Sequence, residues 1–364
     1  MRIIYDHNIF WSQKFGGISR YFVNLLKNIQ KKNNIDLRVI APFYRNIYLK
    51  NEIDKKKIVG LYLKKEIPKT SFMFKSFNKF FFKNFVHSYK PSLIHSTYYN
   101  ENIDKKTTPL IITVYDLIHE KLGIENNTKI LPKLKSLKLA DHIVSISEKT
   151  KKDLMKFYNI DKDKISVIYL GSNHALTNQK ILNNANSEKP FILYVGSREK
   201  YKNFEFFLKG YSISEKLKND FDLLLFGGGK LSVYEKKKIN EYKLHNKVFH
   251  KEGTDEELYQ LYKTAKVFIF PSIYEGFGLP LVEAMANDCP VICSNIDVFK
   301  EIAGNAAEYF DPSNVENFKA KIEEVIYSNT RLQELKSLGK MKSRNYDWEK
   351  CANETIKIYK KLVT

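Results

Sequence analysis

The chain has 364 residues, more than one hydrophobic core usually holds, so its length predicts two domains. Its three cysteines, Cys289, Cys293 and Cys351, match neither a metal cluster nor a disulfide framework, which favours a reducing, cytoplasmic compartment. The start, MRIIYDHNIFW, lacks the apolar region of a signal peptide, and no stretch approaches the roughly 20 uncharged apolar residues of a membrane-spanning helix. We therefore expect a soluble or peripheral protein.

The positive charge is concentrated in the first half of the chain. The formal net charge is +20; residues 1–180 carry 33 Lys and Arg against 15 Asp and Glu, and residues 181–364 carry 28 against 26. Such a one-sided distribution predicts an anionic surface or polymer as a partner. A general preference for lysine at solvent-exposed positions explains the composition equally well.

Short apolar runs alternate with amphipathic stretches through the first half. Six runs predict buried parallel strands: RIIYD, DLRVIAPF, SLIHST, PLIITVYD, HIVSIS and ISVIYLG. Between them, stretches such as ISRYFVNLLKNIQKK and SEKTKKDLMKFYN predict helices, the second with Ser147 as its N-cap. This alternation indicates a doubly wound α/β domain over residues 1–172.

The segment SFMFKSFNKFFFKNF, residues 71–85, predicts a basic amphipathic helix. It holds seven Phe, and Lys75, Lys79 and Lys83 are spaced four residues apart, so they share one helical face. A helix of this type suits an anionic membrane surface. The alternative is a core helix with a solvated lysine edge.

The strand–helix alternation restarts after a polar, Asn-rich segment at 173–190, which we interpret as a linker. Five runs predict the second set of strands: FILYVGS, FDLLLFGGG, KVFHKEG, KVFIFPS and PVICSN. Helices are expected at about 203–217, 231–242, 255–264, 280–287 and 314–328. The second α/β domain spans 191–344, with a terminal helix at 345–364. Open parallel sheets bind ligands at the carboxyl ends of their strands, so we expect a site in a cleft between the two domains.

The stretch YEGFGLPLVEAMA, residues 274–286, places two carboxylates around a glycine-rich helix start. Pro280 suits the first helical turn, and amides at a helix N-terminus bind phosphate. The backbone positions expected to meet that phosphate are Gly276, Phe277, Gly278 and Leu279. Glu275 and Glu283 can only accept hydrogen bonds, so each suits a hydroxyl-rich group beside the phosphate. A nucleotide diphosphate sugar, with a sugar on one side and a ribose on the other, satisfies both.

This stretch and its surroundings, AKVFIFPSIYEGFGLPLVEAMANDCPVICSN, resemble the signature of the retaining family-4 glycosyltransferases. The resemblance implies the GT-B fold, an α/β arrangement of two Rossmann-like doubly wound domains facing across a cleft. It implies that Glu275 contacts the donor sugar and that Glu283 contacts the nucleoside ribose. NYDWEKCANETIKIYKKL resembles the family's terminal helix, which crosses back onto the N-terminal domain.

Three further segments suggest donor-binding residues. YVGSREKYKNFEFFLKGY resembles the segment whose Arg and Lys grip the donor diphosphate, here Arg198 and Lys202, and charge-assisted donors of this kind can neutralise two phosphates. KFGGISRYF resembles the family's N-terminal glycine loop, with Gly16 and Gly17 near the diphosphate. In LLLFGGGK, we interpret Gly227 as part of a strand-end turn near the nucleotide.

Candidates for the acceptor side come from the first half. TVYDLIHE is similar to the acceptor-domain segment TVHDLIHE of related enzymes, so Tyr115 stands where the family has His, and His119 is retained. His95, in HSTYY, also follows a predicted strand. We predict that these three residues lie on the acceptor side.

The predicted reaction needs neither metal nor other cofactor, because no Asp-x-Asp dyad follows a strand and no residues have metal-ligand spacing. The resemblance, which extends to bacterial polysaccharide mannosyltransferases, implies retaining transfer of a hexose from a nucleotide sugar such as GDP-mannose. The implied acceptor is a glycan or lipid-linked saccharide in cell-surface polysaccharide synthesis, at the inner face of the plasma membrane. Two alternatives remain. One is a nucleotide-sugar epimerase or phosphorylase of the same fold. The other is a basic nucleic-acid-binding protein, for which we find neither stacking aromatics on a sheet face nor a recognition helix.

Overall fold

The structure is a computed structural model of the 364-residue chain. It describes residues 1–32, 34–65, 69–99, 103, 105, 107–123, 127–172 and 189–363, and the side chains of 127–129 are not described. The predicted linker at 173–190 therefore lies outside the described residues, apart from its last two.

The chain forms two compact units, Met1–Gly171 with Trp348–Thr364 (unit 1) and Ser172–Asp347 (unit 2). In its described part, unit 1 contains a seven-stranded parallel sheet in the order β3-β2-β1-β4-β5-β6-β7. Its strands are β1 Arg2–Tyr5, β2 Asp36–Tyr44, β3 Ile58–Tyr62, β4 Leu93–Ser96, β5 Leu110–Val114, β6 His142–Ser145 and β7 Ile165–Val167. Its helices are α1 Asn8–Ser12, α2 Gly17–Ile29, α3 Ile47–Glu52, α4 Ser71–Tyr89, α5 Ile118–Lys121, α6 Asn127–Leu139 and α7 Glu148–Tyr158.

The described residues of unit 2 form a six-stranded parallel sheet in the order β10-β9-β8-β11-β12-β13. Its strands are β8 Phe191–Val195, β9 Asp222–Phe226, β10 Val248–Lys251, β11 Val267–Phe270, β12 Val291–Ser294 and β13 Glu308–Phe310. Its helices are α8 Phe204–Ser212, α9 Glu215–Asp220, α10 Val233–Glu241, α11 Asp255–Thr264, α12 Leu279–Ala286, α13 Asp297–Ala303, α14 Val315–Ile326 and α15 Asn329–Ser343. The last helix, α16 Trp348–Val363, belongs to unit 1. Two parallel sheets with helices confirm the predicted α/β class.

In unit 2, helices α13 and α15 were not among those expected from the sequence. Two strands and one helix break also differ from the expectation. β3 and β13 were not predicted; both are short edge strands, and most of their residues are half-buried or exposed. The single helix expected at about 203–217 is two helices, because the Ser214 side chain accepts a hydrogen bond from the Leu217 amide and so starts α9 as its N-cap.

The core of unit 1 includes a buried hydrogen-bond chain that attaches α16. The Tyr359 hydroxyl lies 2.6 Å from the Tyr5 hydroxyl and 2.6 Å from His95 Nδ1. Where the chain re-enters unit 1, a Cβ on Gly171 would come within 2.4 Å of the Trp348 backbone nitrogen, so only glycine fits there. The C-terminal helix is therefore an integral part of the N-terminal unit.

None of the helices in the described ranges combines the length and apolar content required to cross a membrane.

Candidate functional site

The strand order of unit 2 marks where a ligand is expected. β8 is hydrogen-bonded to β9 on one side and to β11 on the other, so the chain changes direction across the sheet at β8. Open parallel sheets bind ligands beyond the carboxyl ends of the strands at such a switch point. Arg198 and Lys202 follow β8, and Glu275 follows β11, which places the three predicted residues beside this point.

Lys202 and Glu275, 73 residues apart in sequence, form an ion pair at the switch point. Lys202 Nζ lies 2.6 Å from Glu275 Oε1, and the side chains are 15% and 13% exposed. The ammonium also lies over the rings of Tyr201 and Phe270, at 5.2 and 5.4 Å from their centroids. The Ile273 amide donates to the Tyr201 carbonyl at 2.9 Å, so the loops after β8 and β11 are fixed to each other. The cation is thereby held in one place with little freedom.

The entrance to α12 is built as the sequence predicts. Gly278 is its N-cap with φ 98°, in the left-handed region, and a Cβ there would meet the Phe299 ring at 3.0 Å. Glu283, in the second turn, is buried. The Phe277 side chain packs against Tyr346, with ring centroids 5.7 Å apart, so the backbone of this residue is the part left for a ligand. Gly276 is buried and Leu279 is half-buried.

The Arg198 guanidinium, predicted to grip the donor diphosphate, is bonded to protein groups in this structure. Its side chain is only 2% exposed, and Nε lies 2.8 Å from Glu235 Oε1. Nη1 donates to the Gly227 carbonyl at 2.9 Å, and Nη2 donates to the Gly229 carbonyl at 2.6 Å. In this structure Arg198 therefore organises the glycine turn after β9, and its contact with the donor diphosphate stays a prediction.

The glycine turn fits this arrangement closely. Gly227, Gly228 and Gly229 have φ angles of 75°, 74° and 75°, a region that L side chains rarely adopt. A Cβ on Gly228 would come within 2.8 Å of Arg198 Nη1. The predicted donor residue Gly227 thus has a scaffolding contact with Arg198, in addition to its position after a strand.

Glu235 anchors the other end of Arg198. Burial raises the pKa of the Glu235 carboxyl, but hydrogen bonds from Ser232 and the charge of Arg198 outweigh it, and the pKa lies below its ordinary value. The carboxylate also accepts from the Ser232 amide at 2.6 Å, which completes the capping box of α10. The ion pair is therefore joined to the start of a helix.

In unit 1, Gly16 and Gly17 begin α2. A Cβ on Gly16 would overlap the Gln13 side chain at 2.4 Å, whereas one on Gly17 would meet nothing within 4 Å. Gln13 Oε1 accepts from the Ser19 amide at 3.1 Å and so satisfies one of the first helical N–H groups. Gly17 is the exposed residue at which another backbone or a ligand can approach.

The acceptor-side prediction for His95 needs correction. His95 is wholly buried, with Nδ1 bonded to Tyr359 and Nε2 at 2.9 Å from the Thr113 hydroxyl, and burial lowers its pKa to about 3. It is a neutral core residue. Tyr115 is also buried, and this burial raises its pKa well above the ordinary value. His119, in α5, is half-buried and is the candidate of the three that lies nearest the surface.

Sequence reasoning missed a polar cluster at the carboxyl ends of β1 and β4. Asp6 is wholly buried and accepts from the Ser96 hydroxyl at 2.5 Å, the Thr97 amide at 3.1 Å and the Asn8 side chain at 2.8 Å. The signal was available, since Asp follows one strand and Ser-Thr ends another at the same edge of a parallel sheet.

Ser272 and Ser294 were also missed. Both are wholly buried near the carboxyl ends of β11 and β12, and neither hydroxyl has a hydrogen-bond partner among the described residues. Buried hydroxyls normally have a partner, so these two are candidates for contact with a polar ligand in unit 2. Within the same described ranges, no three His, Cys, Asp or Glu side chains are grouped so that they could hold a metal ion.

The fold defines an α/β protein of two units, each with a parallel sheet, and family models make the class specific. The model described as "Glycosyltransferase Family 4" matches residues 15–176, and that described as "Glycosyl transferases group 1" matches residues 177–343. The chain belongs to this family of glycosyltransferases, which confirms the resemblance noted from its sequence.

A curated relative and two solved structures agree with this assignment. The O-antigen chain mannosyltransferase RfbU of Salmonella typhimurium is 32% identical over 192 residues, 52% of this chain and 52% of RfbU, so the match spans about half the length of each. WaaG, a glycosyltransferase involved in lipopolysaccharide biosynthesis, superposes with a TM-score of 0.75 at 13% identity over 98% of this chain and 99% of WaaG. Anabaena HepE, solved in complex with UDP and glucose, superposes with a TM-score of 0.76 at 14% identity over 98% of this chain and 99% of HepE. These likenesses confirm the GT-B fold.

Proposed function

We propose that this glycosyltransferase moves a hexose, with mannose as the first candidate, from a nucleotide diphosphate sugar to a glycan or lipid-linked saccharide. The observation that carries the proposal is the Lys202–Glu275 ion pair beside the entrance of α12. The relation to RfbU supports mannose and a cell-surface polysaccharide acceptor, and the UDP bound by HepE supports a nucleotide donor.

Donor binding would exchange the partners of this ion pair. A diphosphate carries more negative charge than one carboxylate, so it competes for the Lys202 ammonium, which lies 2.6 Å from Glu275 in the free protein. Glu275, once released, can accept hydrogen bonds from hydroxyls of the sugar. Main-chain amides at residues 277–279 supply further phosphate donors, and Glu283 accepts from the ribose. Arg198 contributes indirectly, by fixing the glycine turn.

The transfer step needs no side-chain nucleophile. The bond between the anomeric carbon and the donor phosphate oxygen breaks, with positive charge building at that carbon. The acceptor oxygen forms its bond on the same face of the sugar, and its proton passes to the departing phosphate oxygen. Lys202 stabilises the negative charge that develops on this leaving group. The configuration at the anomeric carbon is retained, and the Lys202 ammonium and the main-chain amides take the place of a metal ion.

We also propose that the reaction takes place in the cytoplasm, at the inner face of the membrane. The three cysteines of the chain are buried free thiols, which suits a reducing compartment. A lipid-linked acceptor would bring the enzyme to the membrane surface.

The donor is identified by measuring thermal stabilisation with UDP-, GDP- and ADP-sugars, since a ligand that binds the folded state raises the melting temperature. We expect one nucleotide class to stabilise the protein with EDTA present, and its hexose to be transferred with unchanged anomeric configuration, as read by NMR. Stabilisation by none of them, or inversion in the product, would contradict the proposal.

A further inference from the structure

One face of α4 carries large apolar side chains that the core of unit 1 does not cover. Phe72 is 82% exposed, Met73 58%, Phe77 47% and Phe80 67%. Steps of one, three and four residues place them along one side of the helix. A contiguous exposed apolar surface of this kind is uncommon on a soluble protein and indicates a binding surface. We call these four residues the outer face of α4.

The outer face cannot turn inward, because the opposite side of the helix is fixed. Asn78 is wholly buried; its Oδ1 accepts from the Phe43 amide at 2.8 Å, and its Nδ2 donates to the Phe43 carbonyl at 2.9 Å. The Phe74 ring packs against Trp11, with centroids 5.5 Å apart, and Phe82 is buried one turn after Asn78. These contacts set the rotation of α4 about its axis. The exposure of the outer face is thus a built feature of the fold.

The surroundings of the outer face are strongly positive. Lys75, Lys79 and Lys83 are exposed on the same helix. Residues 55–90 contain ten Lys and one acidic residue, Glu66. This excess of positive charge complements an anionic surface and repels a second copy of the same chain.

We propose that the outer face of α4 and its three lysines dock unit 1 on an anionic lipid bilayer. Bulky apolar side chains enter the boundary between headgroups and acyl chains, and the lysines pair with lipid phosphates. A protein partner fits less well, because the cores of protein interfaces are depleted in lysine. This inference rests on the membrane location proposed above and names the surface that would provide it. The surface shares no residue with the donor site in unit 2, so the two can be tested separately.

The test is flotation of the full chain with phosphatidylcholine vesicles, with and without phosphatidylglycerol. We expect binding to the anionic vesicles only, weakening as salt is added. Lys75/Lys79/Lys83→Glu should lower the affinity about 100-fold or more, since each lysine near the surface contributes roughly a factor of five. Phe72/Phe80→Ser should weaken binding even at low salt, because it removes the inserted rings.

Matched controls separate the surface from its overall charge and polarity. Lys236/Lys237/Lys263→Glu makes the same charge change at exposed positions of unit 2, and Val233/Met341→Ser removes two exposed apolar side chains there. Both controls should float like the unaltered protein. All variants should keep the unaltered circular dichroism and the same donor-dependent thermal stabilisation, which distinguishes failure of docking from failure of the donor site.

Absence of flotation on anionic vesicles at low salt would overturn the proposal. So would equal loss in the α4 variants and their controls. Self-association that Phe72/Phe80→Ser abolishes, without vesicle binding, would assign the outer face to a second copy and also overturn it.

Discussion

Lys202 is held between a carboxylate and two aromatic rings, so its charge is positioned before any donor arrives. A cation that needs no reorganisation stabilises a developing negative charge better than a mobile one. We expect Lys202→Ala to lower the turnover number about 100-fold or more, the scale of removing one preorganised donor. Lys200→Ala is the matched control, because Lys200 is an exposed lysine of the same turn. Steady-state kinetics with saturating donor measure both, and near-normal turnover of Lys202→Ala would remove this residue from the mechanism.

His95 gives a second residue-scale prediction, on pH. Burial lowers its pKa from 6.5 to about 3 in the folded protein, so the unfolded chain binds this proton more readily. Stability is therefore complete above pH 6.5 and falls as the pH drops from 6.5 towards 3, by roughly 1.4 kcal/mol per pH unit from this group. Burial also lowers the pKa of His7 and His142, which add to the same trend.

Urea unfolding between pH 6 and 5 measures the contribution of His95. His95→Gln should lose about one proton from the pH slope of stability, whereas His245→Gln, which alters an exposed side chain, should leave that slope unchanged. An unchanged slope in His95→Gln would mean that His95 is accessible to protons in the folded protein.

At the scale of elements, Arg198 joins the turn after β9 to the start of α10. Arg198→Ala would leave Glu235 without its partner and several carbonyls without a donor, at a cost of about 2–4 kcal/mol in the free energy of unfolding. Arg198→Lys keeps the charge but not the planar guanidinium. Its free energy of unfolding should therefore lie between those of the unaltered protein and Arg198→Ala. Urea denaturation measures the difference. Unaltered stability with reduced turnover would instead assign Arg198 to the donor phosphates.

The elements that could be predicted are those with a strong local pattern. The central strands are continuous apolar runs. Gly278 and Pro280 predict the start of α12 from the local sequence alone. β3, IVGLY, is a short apolar run interrupted by Gly60, and a run of this kind does not by itself show that a strand forms. Its position depends on pairing with β2, and that pairing is not a local property of the sequence.

The candidate site was predictable to the extent that its residues follow strands. Strand order places Lys202 after β8 and Glu275 after the neighbouring β11, and two segments that resemble the family identify these residues. The partners of Arg198 and His95 depend on side-chain directions after folding. Nothing in the spacing of these residues distinguishes a guanidinium that faces a ligand from one that faces a turn, or a strand-end histidine at the surface from one in the core.

At the scale of the whole molecule, unit 2 is inserted within unit 1. The Ser172 amide donates to the Tyr346 carbonyl at 3.0 Å, so the two ends of unit 2 lie side by side. Unit 2 also has its own core, which includes Phe207, Leu223 and Phe318. A fragment of residues 172–347 should therefore unfold cooperatively and be stabilised by nucleoside diphosphates, and Lys202→Ala should reduce that stabilisation. Calorimetry of the fragment tests this; a non-cooperative transition would show that unit 2 depends on unit 1.

The return of α16 to unit 1 has a consequence for biosynthesis. Trp348 and Tyr359 belong to the core of unit 1, yet the ribosome makes them only after every residue of unit 2. Tyr5 and His95 therefore lack their partner Tyr359 in the nascent N-terminal sheet until unit 2 has emerged and folded. Maturation thus runs opposite to the order of the sequence: the inserted half is completed first, and the half that begins the chain is completed last.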